Sequence, residues 1–140
     1  MKELKINHLA VLVAVVLQFV IGFLWYGRLF EDAWMEAVGL DLATIEADPA
    51  GAEEWITNIF SAAVSMYVLA WLFVKMGVDS LLKGAGYGLL IGFSFVLLSI
   101  MTSGMFAKDP YGLAWITGGF TTFGLTVGGA VLGVWSKSKS

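Results

Sequence analysis

The sequence predicts an all-α integral membrane protein, a bundle of four transmembrane helices with a short interfacial amphipathic helix in the first outer loop. Of its 140 residues, 59% are hydrophobic and 14% are charged, whereas soluble domains have about 45–50% apolar and about 25% charged residues. Four segments are mostly apolar over the roughly 20 residues that a helix needs to cross a bilayer. Alternation with a period of two does not occur, which disfavours a β-barrel.

The four segments form a single membrane domain of residues 1–140. The predicted spans cover residues 6–25, 55–76, 84–106 and 112–135. The last two connections are short, so the helices that they join are expected to be antiparallel neighbours. Asp48 and Asp109, each followed by proline, and Ser80 are expected to cap the second, fourth and third spans, because carboxylates and hydroxyls favour helix N-termini.

The first connection, residues 27–54, is long enough to require structure of its own. It holds eight of the eleven acidic residues, namely Glu31, Asp32, Glu36, Asp41, Glu46, Asp48, Glu53 and Glu54. Apolar residues recur at helical spacing from Phe30 to Val38, and Gly39 is suited to end a helix. We therefore predict a short helix over residues 30–38 that lies at the membrane interface on its apolar face.

Lysine and arginine predict the orientation, because they are in excess in cytoplasmic loops near helix ends. The termini and the second connection carry Lys2, Lys5, Lys75, Lys83, Lys137 and Lys139. The opposite side carries only Arg28 and Lys108. Both termini are therefore expected in the cytoplasm, with the acidic loop outside and the protein in the inner membrane of the cell.

Residue types that the sequence lacks disfavour several functions. Cysteine is absent, which excludes disulfides and thiol catalysis. No Asp, Glu, Lys or His lies inside a predicted span away from its ends, whereas coupled pumps place one there. His8 is the only imidazole, so no metal site or cofactor is expected, and basic patches for nucleic acid are missing. The expected partner is the lipid bilayer.

Glycines on the last two spans predict helix contacts, because close backbone approach favours association in lipid. They are Gly84, Gly88 and Gly92 on the third span and Gly124, Gly128, Gly129 and Gly133 on the fourth. Packing of these two helices on each other is the simpler interpretation. The fourth helix has small residues on two faces, so the other face could form a homo-oligomer.

Polar and aromatic side chains on the first two spans are candidates for a ligand cavity. They are Gln18, Gly22, Trp25, Tyr26, Arg28 and Trp34 in the first half of the chain, and Asn58, Ser61 and Ser65 on the second span. The polar groups could instead bond one another between helices. If the residues do line a cavity, its ligand would be a neutral or amphipathic small molecule that Gln18 and Asn58 orient.

The end of the first span has two interpretations. Trp25 and Tyr26 favour the headgroup region, and Arg28 can reach lipid phosphates, which is typical of an interfacial anchor. The amphipathic pattern that follows suggests instead that Phe30 and Trp34 fold back over the bundle as part of a lid. Gly27 would then allow the backbone to reverse.

A family resemblance rests on this same region. Its motif consists of Asn7-His8 before an apolar helix, the run Gly22-Phe23-Leu24-Trp25-Tyr26-Gly27-Arg28-Leu29-Phe30, and Trp34. The chain resembles an uncharacterised membrane family known as domain of unknown function 1761, over nearly its whole length. Members commonly have glycine where Glu31 stands. The resemblance implies the four-span fold and neither an activity nor a functional residue.

Three functions are compatible with these observations. The leading hypothesis is a non-enzymatic membrane protein that binds a small apolar or amphipathic ligand, or a membrane partner, at its outer mouth. The alternative is a transporter or channel subunit for a small neutral or anionic solute. A lipid-modifying enzyme comes third, because no acid, base or nucleophile can be assigned.

Overall fold

A computed structural model of the chain describes residues 4–138. Lys2 and Lys139, two of the lysines on which the predicted orientation rests, lie outside these residues. The elements are β1 (Leu4–Lys5), α1 (His8–Leu24), α2 (Glu31–Val38), α3 (Leu42–Ala47), α4 (Ala52–Met76), α5 (Leu81–Ile91), α6 (Leu98–Phe106), α7 (Tyr111–Val134) and β2 (Lys137–Ser138). Two π-helical segments, Trp25–Leu29 and Gly92–Leu97, extend α1 and join α5 to α6.

Within the described residues, four helical stretches are long and apolar enough to cross a membrane. They are His8–Leu29, Ala52–Met76, Leu81–Phe106 and Tyr111–Val134. The predicted four-helix membrane fold is therefore confirmed, and the predicted ends differ from these by only a few residues. The largest difference is at the end of the first span, where the π-helical segment carries the helix beyond Trp25.

Helix α7 is the centre of the bundle, with α5 and α6 packed along one side and α1 along another. The contact with α5 is very close, because a methyl group on Gly84 or Gly88 would overlap carbonyl oxygens of α7. The glycines at this contact are Gly84, Gly88 and Gly92 on the third span with Gly129 and Gly133 on α7. Backbones that approach so closely gain the van der Waals contact that holds helices together in lipid.

Helix α4 joins the bundle through its second half only. Its buried residues are Met66, Leu69, Ala70 and Phe73, which pack in one cluster with residues of α1 and α7. It meets α5 at Phe73 and Tyr87, whose ring centroids are 6.4 Å apart. The expectation that a short connection makes the second and third spans side-by-side neighbours is wrong, because α4 packs mainly on α1 and α7.

Of the three residues that were predicted to cap helices, one does so. Ser80 caps α5, since its hydroxyl accepts from the Lys83 N–H at 3.2 Å. Helix α4 begins after Gly51, whose N–H donates to the Glu54 carboxylate at 2.9 Å. Asp48 instead lies at the end of α3, a helix that the sequence analysis missed. Pro110 takes the cap position of α7, and no side chain of the described residues caps that helix.

Both ends of the described chain meet at one end of the bundle, which we call the terminal end. β1 and β2 pair antiparallel, with Lys5 opposite Lys137. Asn7 reinforces this pairing: its Oδ1 accepts from two N–H groups in the first turn of α1, and its Nδ2 donates to the Trp135 carbonyl at 2.9 Å. The opposite end, which carries residues 25–54, is called the loop end.

Candidate functional site

Helix α2 folds back over the loop end of the bundle, where it packs on the π-helical segment and on α7. It covers Glu31–Val38 and ends at Gly39, which has the left-handed conformation expected of such a stop (φ 74°). The predicted interfacial helix therefore exists. The backbone does not reverse at Gly27, because the helix continues through that residue, and the turn occurs at Phe30 (φ −126°, ψ 19°).

Trp25 connects the first span to the fourth. Its Nε1 donates to the Ile116 carbonyl at 2.9 Å. Its ring stacks on Phe123, with centroids 5.7 Å apart and planes 26° apart, and lies 4.8 Å from the ring of Phe30. The half-buried indole is therefore held by both a hydrogen bond and ring contacts, and it fixes the point from which α2 departs.

Tyr26 holds α2 in its folded-back position. Its ring lies 5.8 Å from that of Trp34, edge to face at 74°, and 5.3 Å from that of Phe120 on α7. Gly22 lies below Phe120, where a methyl group would come within 3.5 Å of the ring. The neighbouring Arg28 is exposed. These contacts join α1, α2 and α7 through aromatic side chains.

A cleft of about 240 Å³ lies between the loop end of α1 and helices α2 and α3. Its lining residues are Gly22, Phe23, Tyr26, Gly27, Glu31, Trp34, Met35, Leu42 and Ile45. Three of the predicted candidates, Gly22, Tyr26 and Trp34, are therefore brought together. The wall is mostly aromatic and aliphatic, with Glu31 as the one residue among those that line it whose side chain carries a charge at neutral pH.

Helix α3 contributes a part of the cleft that was not predicted from the sequence. Asp41 caps this helix, since its Oδ1 accepts from the Thr44 N–H at 2.7 Å. Leu42 and Ile45 then face the cleft, three residues apart on one side of a helix. An aspartate followed by apolar residues at this spacing is a helix-start signal, and it could have predicted α3.

Gln18 lies away from the cleft, in the contact between α1 and α7. Its Nε2 donates to the Gly124 carbonyl at 2.9 Å and to the Ala14 carbonyl at 3.3 Å. Methyl groups on Gly124 and Gly128 would collide with Gln18 and with the sulfur of Met66. The second glycine face of α7 is therefore covered by α1 and α4 of the same chain.

The polar residues of the second span lie apart from Gln18. Asn58, Ser61 and Ser65 are on the exposed half of α4, where every residue from Ala52 to Ser61 is exposed. The Ser65 hydroxyl donates to the Ser61 carbonyl at 2.8 Å, one turn earlier in the helix. These side chains form an open polar stripe on α4.

The lining of the loop-end cleft is mostly apolar and includes one carboxylate. Aromatic rings and aliphatic side chains offer contact to an apolar body, and Glu31 offers a negative charge at the edge. Among residues 4–138, no group of three His, Cys, Asp or Glu side chains could hold a metal ion. The arrangement is suited to hold a small molecule by its apolar part.

The fold and the site together define a multi-pass α-helical membrane protein with an aromatic cleft at one end. The family model described as "Protein of unknown function (DUF1761)" matches residues 9–133. The chain belongs to this family, which confirms the resemblance carried by the segment from Gly22 to Phe30. No match was found among the curated proteins or among the solved structures.

Proposed function

We propose that the protein binds a small apolar or amphipathic ligand in the loop-end cleft and does not transform it. The observation that carries this proposal is the cleft itself, whose walls come from α1, α2 and α3. Binding sites for small molecules are mostly apolar, concave and lined by a few polar groups. The cleft has this composition.

The position of the cleft favours an amphipathic ligand. It opens where the first span ends, at the level where aromatic side chains meet the headgroup region. Phe23 is 66% exposed and forms part of the wall, so it offers an alkyl chain an apolar contact surface near the end of the first span. Helix α2, held by the contact between Tyr26 and Trp34, acts as the lid.

A native mass spectrum of the gently extracted protein with added decanol tests this function. We expect one bound decanol per chain, and roughly tenfold weaker binding in Trp34→Leu, because a central aromatic contact in a pocket contributes more than 1 kcal/mol. Trp55→Leu is the matched control, since Trp55 is exposed on α4 away from the cleft. Absence of bound decanol, or equal loss in both variants, would contradict the proposal.

The alternative function is transport of a solute across the membrane, and it can be tested on the same protein. Flux of a small neutral or anionic solute through liposomes, lost in Asn58→Leu, would favour a transporter or channel subunit. Gln18→Leu is a weaker probe, because the Gln18 amide is already bonded to the Gly124 carbonyl. Absence of flux, together with saturable decanol binding, would favour the binding function.

We propose that the terminal end faces the cytoplasm and the loop end faces the outside of the inner membrane. Lys5, Lys75, Lys83 and Lys137 are all at or next to the terminal end, and lysine near helix ends favours the cytoplasmic side. A reporter fused after Ser140 is expected to behave as cytoplasmic. A reporter that is active only on the outer side would overturn this orientation.

We also propose that a second copy of the chain covers the polar stripe of α4. Polar groups within a span favour protein over lipid as their surroundings. The amide of Asn58 both donates and accepts, so the same residue of a second copy can satisfy it across a twofold axis. Both glycine faces of α7 are already filled within the chain, so we assign self-association to the exposed polar stripe of α4 instead.

A further inference from the structure

We infer that the loop-end cleft selects amphiphiles whose polar group is a cation, namely a single alkyl chain that carries a quaternary or protonated amine. The inference rests on the proposed function, because it concerns the ligand of the same cleft. It goes beyond that function by assigning the charge of the ligand and the residue that recognises it, Glu31.

The first observation is the charge of the cleft wall. Glu31 is half-buried, and it is the one residue among the nine lining residues whose side chain carries a charge at neutral pH. Within residues 4–138, no lysine, arginine or histidine nitrogen lies within 4 Å of its carboxylate. A carboxylate without a cationic neighbour attracts a ligand cation and repels an anion.

The second observation is that aromatic rings line the same cleft as this carboxylate. Tyr26 and Trp34 line the same cleft as Glu31 and lie edge to face with ring centroids 5.8 Å apart. A cation beside the face of tyrosine or tryptophan is attracted by the ring quadrupole. Rings and a carboxylate around one apolar cleft are the groups that recognise an alkylammonium ion.

The charged residues around the cleft also favour a cationic ligand. The connection between the first two spans carries eight acidic residues, with Arg28 as its one basic residue. Arg28 is exposed and is not among the lining residues. A negative surface around an entrance raises the local concentration of cations, so cationic amphiphiles are favoured before they reach Glu31.

The test compares three amphiphiles with the same decyl chain. The full-length protein in phosphatidylcholine nanodiscs is titrated by calorimetry with decyltrimethylammonium, decyldimethylamine oxide and decyl sulfate, and empty nanodiscs supply the background. We expect the cation to bind roughly fivefold more tightly than the neutral amine oxide, the effect of one partly exposed ion pair or cation–π contact. Decyl sulfate should bind most weakly, and high salt should reduce the preference for the cation.

Three variants identify the responsible residue. Glu31→Gln should remove the preference, so that the cation binds no more tightly than the amine oxide, while Glu31→Asp, which keeps the charge, should retain the preference. Asp32→Asn is the matched control, because Asp32 is the next residue of α2, is exposed, and does not line the cleft. Unchanged thermal unfolding of each variant verifies that the fold is intact.

The outcomes separate this inference from the proposed function. Equal affinity for the three amphiphiles, or a cation preference that survives Glu31→Gln, would overturn the inference while saturable binding still supports a ligand cleft. Failure of all three amphiphiles to bind would contradict the proposed function itself. A preference lost in Asp32→Asn as strongly as in Glu31→Gln would assign the effect to the acidic loop as a whole and overturn the role of Glu31.

Discussion

Gln18 and Gly124, which are 106 residues apart in the sequence, are joined by a 2.9 Å hydrogen bond from the Gln18 Nε2 to the Gly124 carbonyl oxygen. The absence of a side chain at Gly124 makes this contact possible, because a methyl group there would overlap the Gln18 Oε1. The glutamine in the middle of the first span is therefore paired with the backbone of the central helix. The pair fixes how α1 lies against α7.

Substitutions at either residue should loosen this contact. We expect Gln18→Leu to lower the free energy of unfolding by about 1 kcal/mol, the effect of one interhelical hydrogen bond in a membrane. Gly124→Ala should cost more, about 1–3 kcal/mol, because the methyl group displaces the amide. Reversible unfolding in mixed detergent micelles measures both. Gly112→Ala, on the same helix, is the control, since its methyl group would meet no other described atom within 4 Å.

The contact between α5 and α7 predicts a sharper difference between two glycines of α5. Gly88→Ala should destabilise the protein by about 2 kcal/mol or more, because its methyl group overlaps the Leu125 carbonyl and the backbones must separate. Gly86→Ala, half a turn away on an exposed face, should have no cost and can stabilise the helix, since alanine is the better helix former. Equal unfolding midpoints for the two variants would contradict the close contact.

The terminal end offers a test of its own at Asn7, which is 6% exposed. Asn7→Ala should lower the unfolding free energy by about 1–2 kcal/mol, because it removes both the cap of α1 and the bond to Trp135. Asn7→Ser keeps a capping oxygen but loses the amide donor, so its cost should be clearly smaller. If the two variants unfold at the same denaturant concentration, the cap contributes nothing and this interpretation fails.

The sequence predicted the four spans well because length and hydropathy are properties of each helix alone. The partners of each helix depend on the three-dimensional arrangement, which such properties do not determine. The sequence left open whether Gln18 and Asn58 bond other helices or orient one ligand; Gln18 bonds α7, and Asn58 lies on an exposed face of α4. The glycines of the third span could be assigned to a contact, because close approach in lipid restricts the residue type strongly.

Only some of the residues that line the cleft could be predicted from the sequence. Tyr26 and Trp34 are conspicuous as aromatic residues near the end of a span, and the amphipathic pattern of α2 indicates that it folds back. The turn was predicted at Gly27 because glycine favours chain reversals. In the structure the π-helical segment continues through Gly27, and the chain turns at Phe30. A π-helical segment arises from hydrogen bonds five residues apart and has no simple sequence signal.

Self-association through α4 can be tested with cysteines, because the sequence has none of its own. In a twofold dimer, equal residues lie at equal depth, so the same position of two copies can form a disulfide. We expect Asn58→Cys and Ser61→Cys to cross-link in native membranes under mild oxidation. Ile56→Cys is the matched control, because Ile56 is at a similar depth, is 65% exposed and lies on the opposite side of α4.

The pattern of cross-links decides whether the polar stripe is the interface. Cross-linking at positions 58 and 61 but not at 56 would agree with two copies that face each other through Asn58. The yield should fall when an excess of the cysteine-free protein is made in the same membrane, since mixed pairs cannot cross-link. Equal yields at all three positions would indicate random collision, and the polar side chains of α4 would then face lipid or a different protein.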